Sequence, residues 1–247
     1  MAEPRLVILF EDAHILAVSK PAGLLTQPRM RGTVPREPSL EDEVRAYLDP
    51  LASGAIYLGT VHRLDRPVSG VIVWAKSPKA ARRLAAQFGT RQTGKEYWAV
   101  VESAADPGPG VSGTWEDWLS PSSDPSGVVH IQAADTPGAR RAVTRWEHPG
   151  GSADPGDGLR LLRLRPETGR THQLRAQAAA RGSPILGDTA YGSVRPFGPG
   201  IALHARALTF CHPTLGGEQT VVAPWPDSWV ARGFCPPEDG GPVSRSC

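Results

Sequence analysis

Short apolar runs closed by proline, glycine or acidic residues recur along this chain, and few of them lead into a helical pattern. Leu6 to Phe10 and His14 to Val18 read as two strands around a polar Glu11-Asp12-Ala13 turn, and Lys20-Pro21-Ala22-Gly23 makes a second, sharper turn. Val61 to Leu64, Val71 to Ala75, Glu96 to Val101, Ile201 to Phe210 and Glu218 to Val222 extend the series. Arg141 to Glu147 and Leu159 to Leu164 alternate as half-buried strands do, and the glycine-rich 149–158 stretch predicts a long-looped hairpin between them. Three helices interrupt the pattern. Ser39 caps one that runs to about Leu48, with Glu41 and Asp42 in its first turn where acidic groups complement the helix dipole. Ser77-Pro78 opens another, in which Ala81, Leu84, Ala85 and Phe88 recur at helical spacing. Thr171 to Arg181 predicts the third, ended by Gly182 where a left-handed backbone is wanted. Loops are expected over 27–38, 104–113 and 120–127. Strands outnumber helices and mostly do not alternate as βαβ units. The fold class is therefore α+β, a mainly antiparallel mixed sheet with flanking helices.

A length of 247 residues suits one large domain or two small ones and is ample for a buried core. Net charge is only +2, yet of 27 basic residues only Lys20, Lys76, Lys79 and Lys95 are lysine. Arginine pairs with phosphate in a planar two-pronged geometry and stacks on bases; a genome rich in arginine codons explains the same bias. Cys211, Cys235 and Cys247 are widely spaced and odd in number, which excludes CxxC zinc spacing and suits a reducing compartment. The N-terminal apolar run is broken early by Glu11 and Asp12 and lacks a basic start. No run approaches the roughly 20 apolar residues of a membrane helix. These features predict a soluble cytoplasmic protein without membrane association.

Four stretches combine ionisable groups with structural punctuation: HRLDRPVSG at 62–70, KEYWAV at 95–100, GRTHQLR at 169–175 and ILGDTAYG at 185–192. In the first, Asp65 lies between Arg63 and Arg66, beside His62. A cation within about 4–6 Å favours an ionised carboxylate, and such a group can act as nucleophile or base; an aspartate in a turn is ordinarily only a turn former. In the third, free N–H groups at the helix start with Arg170 and Arg175 suit an anion, while His172 and Gln173 serve equally well as cap residues. Tyr97 begins a strand and can face core or cleft. Asp188 suits a tight turn. His62, His172, His204 and His212 with Asp65 and Asp188 offer metal-ligand types, but no HExxH or comparable spacing joins them, so no metal is expected.

Read in order, these stretches resemble the RluA-type pseudouridine synthase family over about residues 6 to 230. ILFEDAHILAVSKPAGLLTQP is similar to the family's opening, VHRLDRPVSGVIVWAKS to its catalytic signature and KEYWAVV to the stretch bearing its tyrosine. LRPETGRTHQLRAQAAARGSPILGDTAYG resembles its arginine-bearing region and IALHARALTFCHP its closing strand. The resemblance implies one catalytic domain over 1–232 with no preceding RNA-binding module, and the polar, proline- and glycine-bearing composition after it predicts a flexible 233–247 tail. It also implies a monomer that isomerises uridine in ribosomal or transfer RNA to pseudouridine without a cofactor. It carries over Asp65 as the essential aspartate, Arg170 as its paired arginine and Tyr97 as the tyrosine placed against the uracil. Leu174 becomes an apolar pocket position, and Arg63 the side chain that fills the place of the flipped base. His62 and Thr171 join these as substrate-binding candidates. Arg82, Arg83 and the basic loop Arg29-Arg31-Arg36 are candidates for backbone phosphates. Val68 and Gln177 stand where family members often have Thr and His, which bears on substrate choice. A non-catalytic RNA-binding protein of the same fold is the alternative, and the presence of Asp65, Tyr97 and Arg170 together counts against it. A metal-dependent hydrolase is the third reading.

Overall fold

Ser39 and Ser77 begin helices as their surroundings predict. In the computed structural model, which describes residues 6–28, 37–51, 53–54, 56–103, 108, 110–121, 127–149 and 157–234, Ser39 forms a reciprocal capping box with Asp42 at the head of α1 (Leu40–Leu48). Ser77 accepts the Ala80 N–H at the head of α2 (Pro78–Gly89). Each such cap stabilises its helix by about 1 kcal/mol. The described residues divide into two units, 6–94 with 205–224 and 95–204 with 225–234.

In the first unit β1 (Val7–Glu11), β2 (Ile15–Lys20), β4 (Ser69–Ala75), β10 (Leu203–Cys211) and β11 (Glu218–Val222) lie side by side in that order, with the short β3 (Gly59–Thr60) also paired to β4. Every residue of β4 is buried, which explains its continuous apolar run: a strand covered on both faces has no polar side to show. Gly70 opens this strand with φ +121°, and a Cβ there would lie 2.2 Å from the Ala205 carbonyl oxygen. No other residue fits that approach. Val61 to Leu64, expected as a strand, is not one; regular pairing stops at Thr60, opposite Trp74. Cys211 is disulfide-bonded, which the odd and sparse cysteine count does not lead one to expect.

The second unit orders its strands β5 (Gly94–Glu102), β9 (Leu159–Pro166), β8 (Arg140–Glu147), β6 (Ser112–Pro121) and β7 (Val129–Gln132). The pairings β5–β9, β9–β8, β8–β6 and β6–β7 are antiparallel. The β8–β9 hairpin is the one the alternation predicts. β6 and β7 are additions: Ser112, Gly113, Ser120 and Pro121 sit inside a strand rather than in loops, because turn-forming residues here occupy strand ends around a buried Trp115 and Leu119. α3 (Gln173–Ala179) is shorter than the expected 171–181 helix. α4 (Asp227–Val230) brings Trp229 into a buried aromatic cluster with Phe197 and Phe234. Among the described residues no helix is long and apolar enough to cross a membrane. The arginine loop at 29–36 and the tail beyond 234 lie outside the described residues.

Candidate active site

The segment carrying Asp65 leaves the sheet because a side chain takes over a backbone role. The ladder between β3 and β4 would continue at Val73, but its N–H donates to His62 Nε2 (3.0 Å). That ring is stacked on Phe88 of α2, centroids 4.7 Å apart and planes at 18°. Relieved of pairing, the chain from Val61 onward can turn away. Thr26 then holds it from the other side. Its hydroxyl donates to the Leu64 carbonyl (2.8 Å) and accepts the Leu64 N–H (3.2 Å). The Val68 N–H closes a turn onto the Asp65 carbonyl (3.1 Å), and the Gly23 N–H donates to the Arg66 carbonyl (2.9 Å). Asp65 at the apex of this arrangement is half-buried, and Arg63 is exposed.

The cation set against Asp65 within this unit is one the sequence reading passed over. Lys20 ends a strand of apolar residues and is fully buried. Its ammonium donates to the carbonyls of Pro21 (2.9 Å) and Arg66 (3.1 Å). Burial pushes its pKa down to about 7; the Asp65 carboxylate opposes that shift and Arg66 adds to it. Arg66 itself, expected to flank and ionise Asp65, turns elsewhere. Its guanidinium donates to the Gly23 carbonyl and to Glu37 (2.9 Å each). The signal for Lys20 was present: a lysine inside an otherwise apolar strand must be buried with partners.

In the second unit the segment before α3 is fixed by a buried web of amides and hydroxyls. Gln173 Oε1 accepts both the Arg170 N–H (3.1 Å) and the Thr168 hydroxyl (2.7 Å). Its Nε2 donates to the Val143 carbonyl (3.0 Å) and to Thr144 (2.9 Å). Thr144 donates onward to Gln177 (2.7 Å), and Gln177 donates to Asp117 (2.7 Å). His172 adopts a left-handed conformation, φ 52°, and leaves no side-chain cap, which is why α3 starts at Gln173 and not Thr171. His172 instead meets the Tyr191 hydroxyl through Nδ1 (3.0 Å). Arg170 Nε donates to the Arg141 carbonyl (3.1 Å). Thr171 is exposed and Leu174 buried. Tyr97, half-buried in β5, pairs across the ladder with Leu164.

Arg175 does not serve an anion from outside. It is buried and makes a two-pronged pair with Asp188 (2.6 and 2.8 Å), its guanidinium lying 4.8 Å from the Tyr191 ring. A guanidinium so matched has little left to offer a phosphate, and Asp188 gains a partner beyond its turn. A groove of about 550 Å³ runs over the β6–β8–β9 face, lined by Arg141, Arg145, Arg163 and Arg165 with Glu116, Glu147 and Glu167. None of the residues singled out from the sequence lines it.

The sequence profile described as RNA pseudouridylate synthase matches residues 14–180. The dual-specificity RNA pseudouridine synthase RluA of Escherichia coli (strain K12) is 36% identical over 226 residues, spanning 90% of this chain and 94% of that protein. The tRNA pseudouridine synthase C of Yersinia pestis is 34% identical over 242 residues, spanning 91% of this chain and 88% of that one. Among solved structures, human RNA pseudouridylate synthase domain containing 4 has a TM-score of 0.71 at 24% identity, over 92% of each chain. That last likeness is one of fold.

Proposed function

The chain belongs to the RluA-type RNA pseudouridine synthase family, and from that premise we propose that it converts particular uridines of ribosomal or transfer RNA to pseudouridine through Asp65, Tyr97 and Arg170. The observation that carries the reading is the relatedness over nine-tenths of the chain, with an Asp65 turn clamped on both sides by backbone bonds. The reaction breaks the bond from ribose C1′ to uracil N1, turns the base and joins C1′ to C5. The C5 hydrogen is released and no electrons leave the substrate. A stacked uridine is out of reach, so the base is flipped out at a cost of a few kcal/mol. Arg63, exposed beside the turn, has the flat guanidinium to take its place.

Asp65 attacks the ribose or removes a ribose proton; either role requires an anion, and Lys20 and Arg170 are the counter-charges of the reading. Tyr97 lies against the uracil and takes part in moving the proton. Leu174 lines the base pocket, with His62 and Thr171 beside the substrate. The dual specificity in the name of the E. coli relative and the transfer RNA in that of the Y. pestis one make both RNA classes candidates here. The protein acts as a cytoplasmic monomer whose single catalytic domain spans 1–232.

Tritium release from RNA labelled at uridine C5 tests the assignment. Asp65→Asn should abolish release while fold and RNA affinity stay nearly intact, and full activity in that variant would end the assignment. Arg170→Ala should be strongly impaired; a wild-type rate would remove its role as counter-charge. Pseudouridine mapping of ribosomal and transfer RNA with and without the gene names the target.

A further inference from the structure

The interval from Arg66 to Lys95 holds seven cations and no carboxylate, in a chain whose net charge is +2. The structure accounts for several of the seven. Arg66 pairs with Glu37 and Lys76 with Glu11 (2.9 and 2.8 Å). Arg83 donates to the Pro213 carbonyl (2.7 Å) and Lys95 to that of Thr168 (3.2 Å). Lys79, Arg82 and Arg91 remain, exposed and without a carboxylate partner among the described residues. Arg91 lies beyond the end of α2, whereas Lys79 and Arg82 are three residues apart within it and so share one side of the helix. The opposite side buries Ala80 and Leu84.

Two features of this face set it apart from an ordinary solvated one. Water-facing helix surfaces intersperse both signs of charge, whereas α2 has no acidic residue at all. Lys79 also sits in the first turn of the helix, where a cation opposes the dipole. Besides Pro78 and Arg83, the other exposed positions of α2 are Ala85, Ala86 and Gly89, all small, so a bulky chain can come close to the C-terminal part of the helix surface. Unpaired cations, unfavourable placement and small neighbours together match the charge and contour of a phosphate backbone.

We propose that this face of α2 seats the phosphate backbone of the RNA substrate, with Lys79 and Arg82 each holding one phosphate. The assignment rests on the RNA-modifying reading above and adds to it a docking surface on α2. Arg83, a candidate from the sequence, has one guanidinium N–H committed to the Pro213 carbonyl. Each phosphate contact releases condensed counterions, so each leaves its mark on the salt dependence of binding.

The experiment measures binding and tritium release with C5-tritiated RNA prepared from cells lacking the gene, across a salt series, for wild type, Lys79→Gln/Arg82→Gln and Arg232→Gln, the last an exposed cation of the other unit that donates to the Ser228 and Gly198 carbonyls. The double variant should lower the slope of log affinity against log salt by about one per cation. Affinity at 0.1 M salt should fall by roughly five- to tenfold per cation. Its kcat at saturating RNA should be unchanged and its melting temperature equal or higher, since Lys79 has left the first turn of the helix. An unchanged slope in an active protein would overturn the docking face alone, and so would an equal loss in Arg232→Gln, because any surface cation would then serve. Absence of tritium release from the wild type would instead overturn the RNA-modifying reading.

Discussion

The two units immobilise their chemistry-bearing segments in different ways. Around Asp65 the pins run from side chain to backbone: Thr26 on Leu64, Lys20 on the Arg66 carbonyl, His62 on the Val73 N–H. Around Arg170 the pins also reach backbone, at the Arg170 N–H and at the Val143 N–H and carbonyl, but they are linked to one another side chain to side chain through Thr168, Gln173, Thr144 and Gln177. A backbone pin fixes where a residue is while leaving its neighbours' identities open. A buried side-chain web is all or nothing, because removing one member strands its partners out of water. The first arrangement makes a precise turn from replaceable parts; the second makes a rigid platform that tolerates little change.

The largest effect should come from Gln173→Leu. It leaves the Arg170 N–H, the Thr168 hydroxyl and the Val143 carbonyl short of partners in a buried site, at about 1–3 kcal/mol for each group stranded. Chemical denaturation should show a loss of several kcal/mol or no folded protein, and a loss under 1 kcal/mol would break the contrast. Thr26→Val should be milder, about 2 kcal/mol, since it removes one hydroxyl that serves two backbone groups. Activity per folded molecule should fall further than stability does, because the Asp65 turn is freed while the sheet remains.

Lys20→Met separates charge from packing. The folded pKa of Lys20 is depressed to about 7, so between pH 7 and about 10.5 the unfolded chain binds more protons at this group than the folded one. Stability therefore rises with pH through that window and is lost as pH falls through it. Denaturation midpoints of the wild type should carry this slope and those of Lys20→Met should lack it; equal slopes would mean that the ammonium is not desolvated. The smallest effect is reserved for Arg66→Gln. Its pair with Glu37 is half-exposed on both sides, and such pairs contribute about 0–1 kcal/mol. A larger loss on thermal melting would show that Arg66 supports the turn more than its contacts suggest.

Local signals made much of this fold legible. Ser39 and Ser77 announce their helices through short-range cap chemistry, and the β8–β9 hairpin follows from alternation alone. The end of β3 was not legible, because Val61 and Leu64 supply apolar character while a histidine ring eleven residues from Val73 does the pairing. Nor was the role of Lys20, whose carbonyl partner at Arg66 is 46 residues away. The arginines flanking Asp65 misled for the opposite reason: adjacency in sequence sends side chains to different places on a turn, and Arg66 found Glu37. The roles of Tyr97, Arg170 and Leu174 come from family resemblance, since local sequence marks Arg170 only as an anion site at a helix start and Tyr97 only as a strand aromatic. The web around Gln173 joins residues from three elements, and no periodicity encodes that.

The arginines of the β8–β9 face carry a consequence of their own. Arg141 is matched by Glu116, Arg145 by Glu167, and Arg163 and Arg165 by Glu96 and Glu147. Opposite charges alternate there at bonding distance, so their fields cancel within about one screening length, ~10 Å at 0.1 M salt. A polyanion drifting past this surface feels no pull, and encounters on that side end as quickly as they begin.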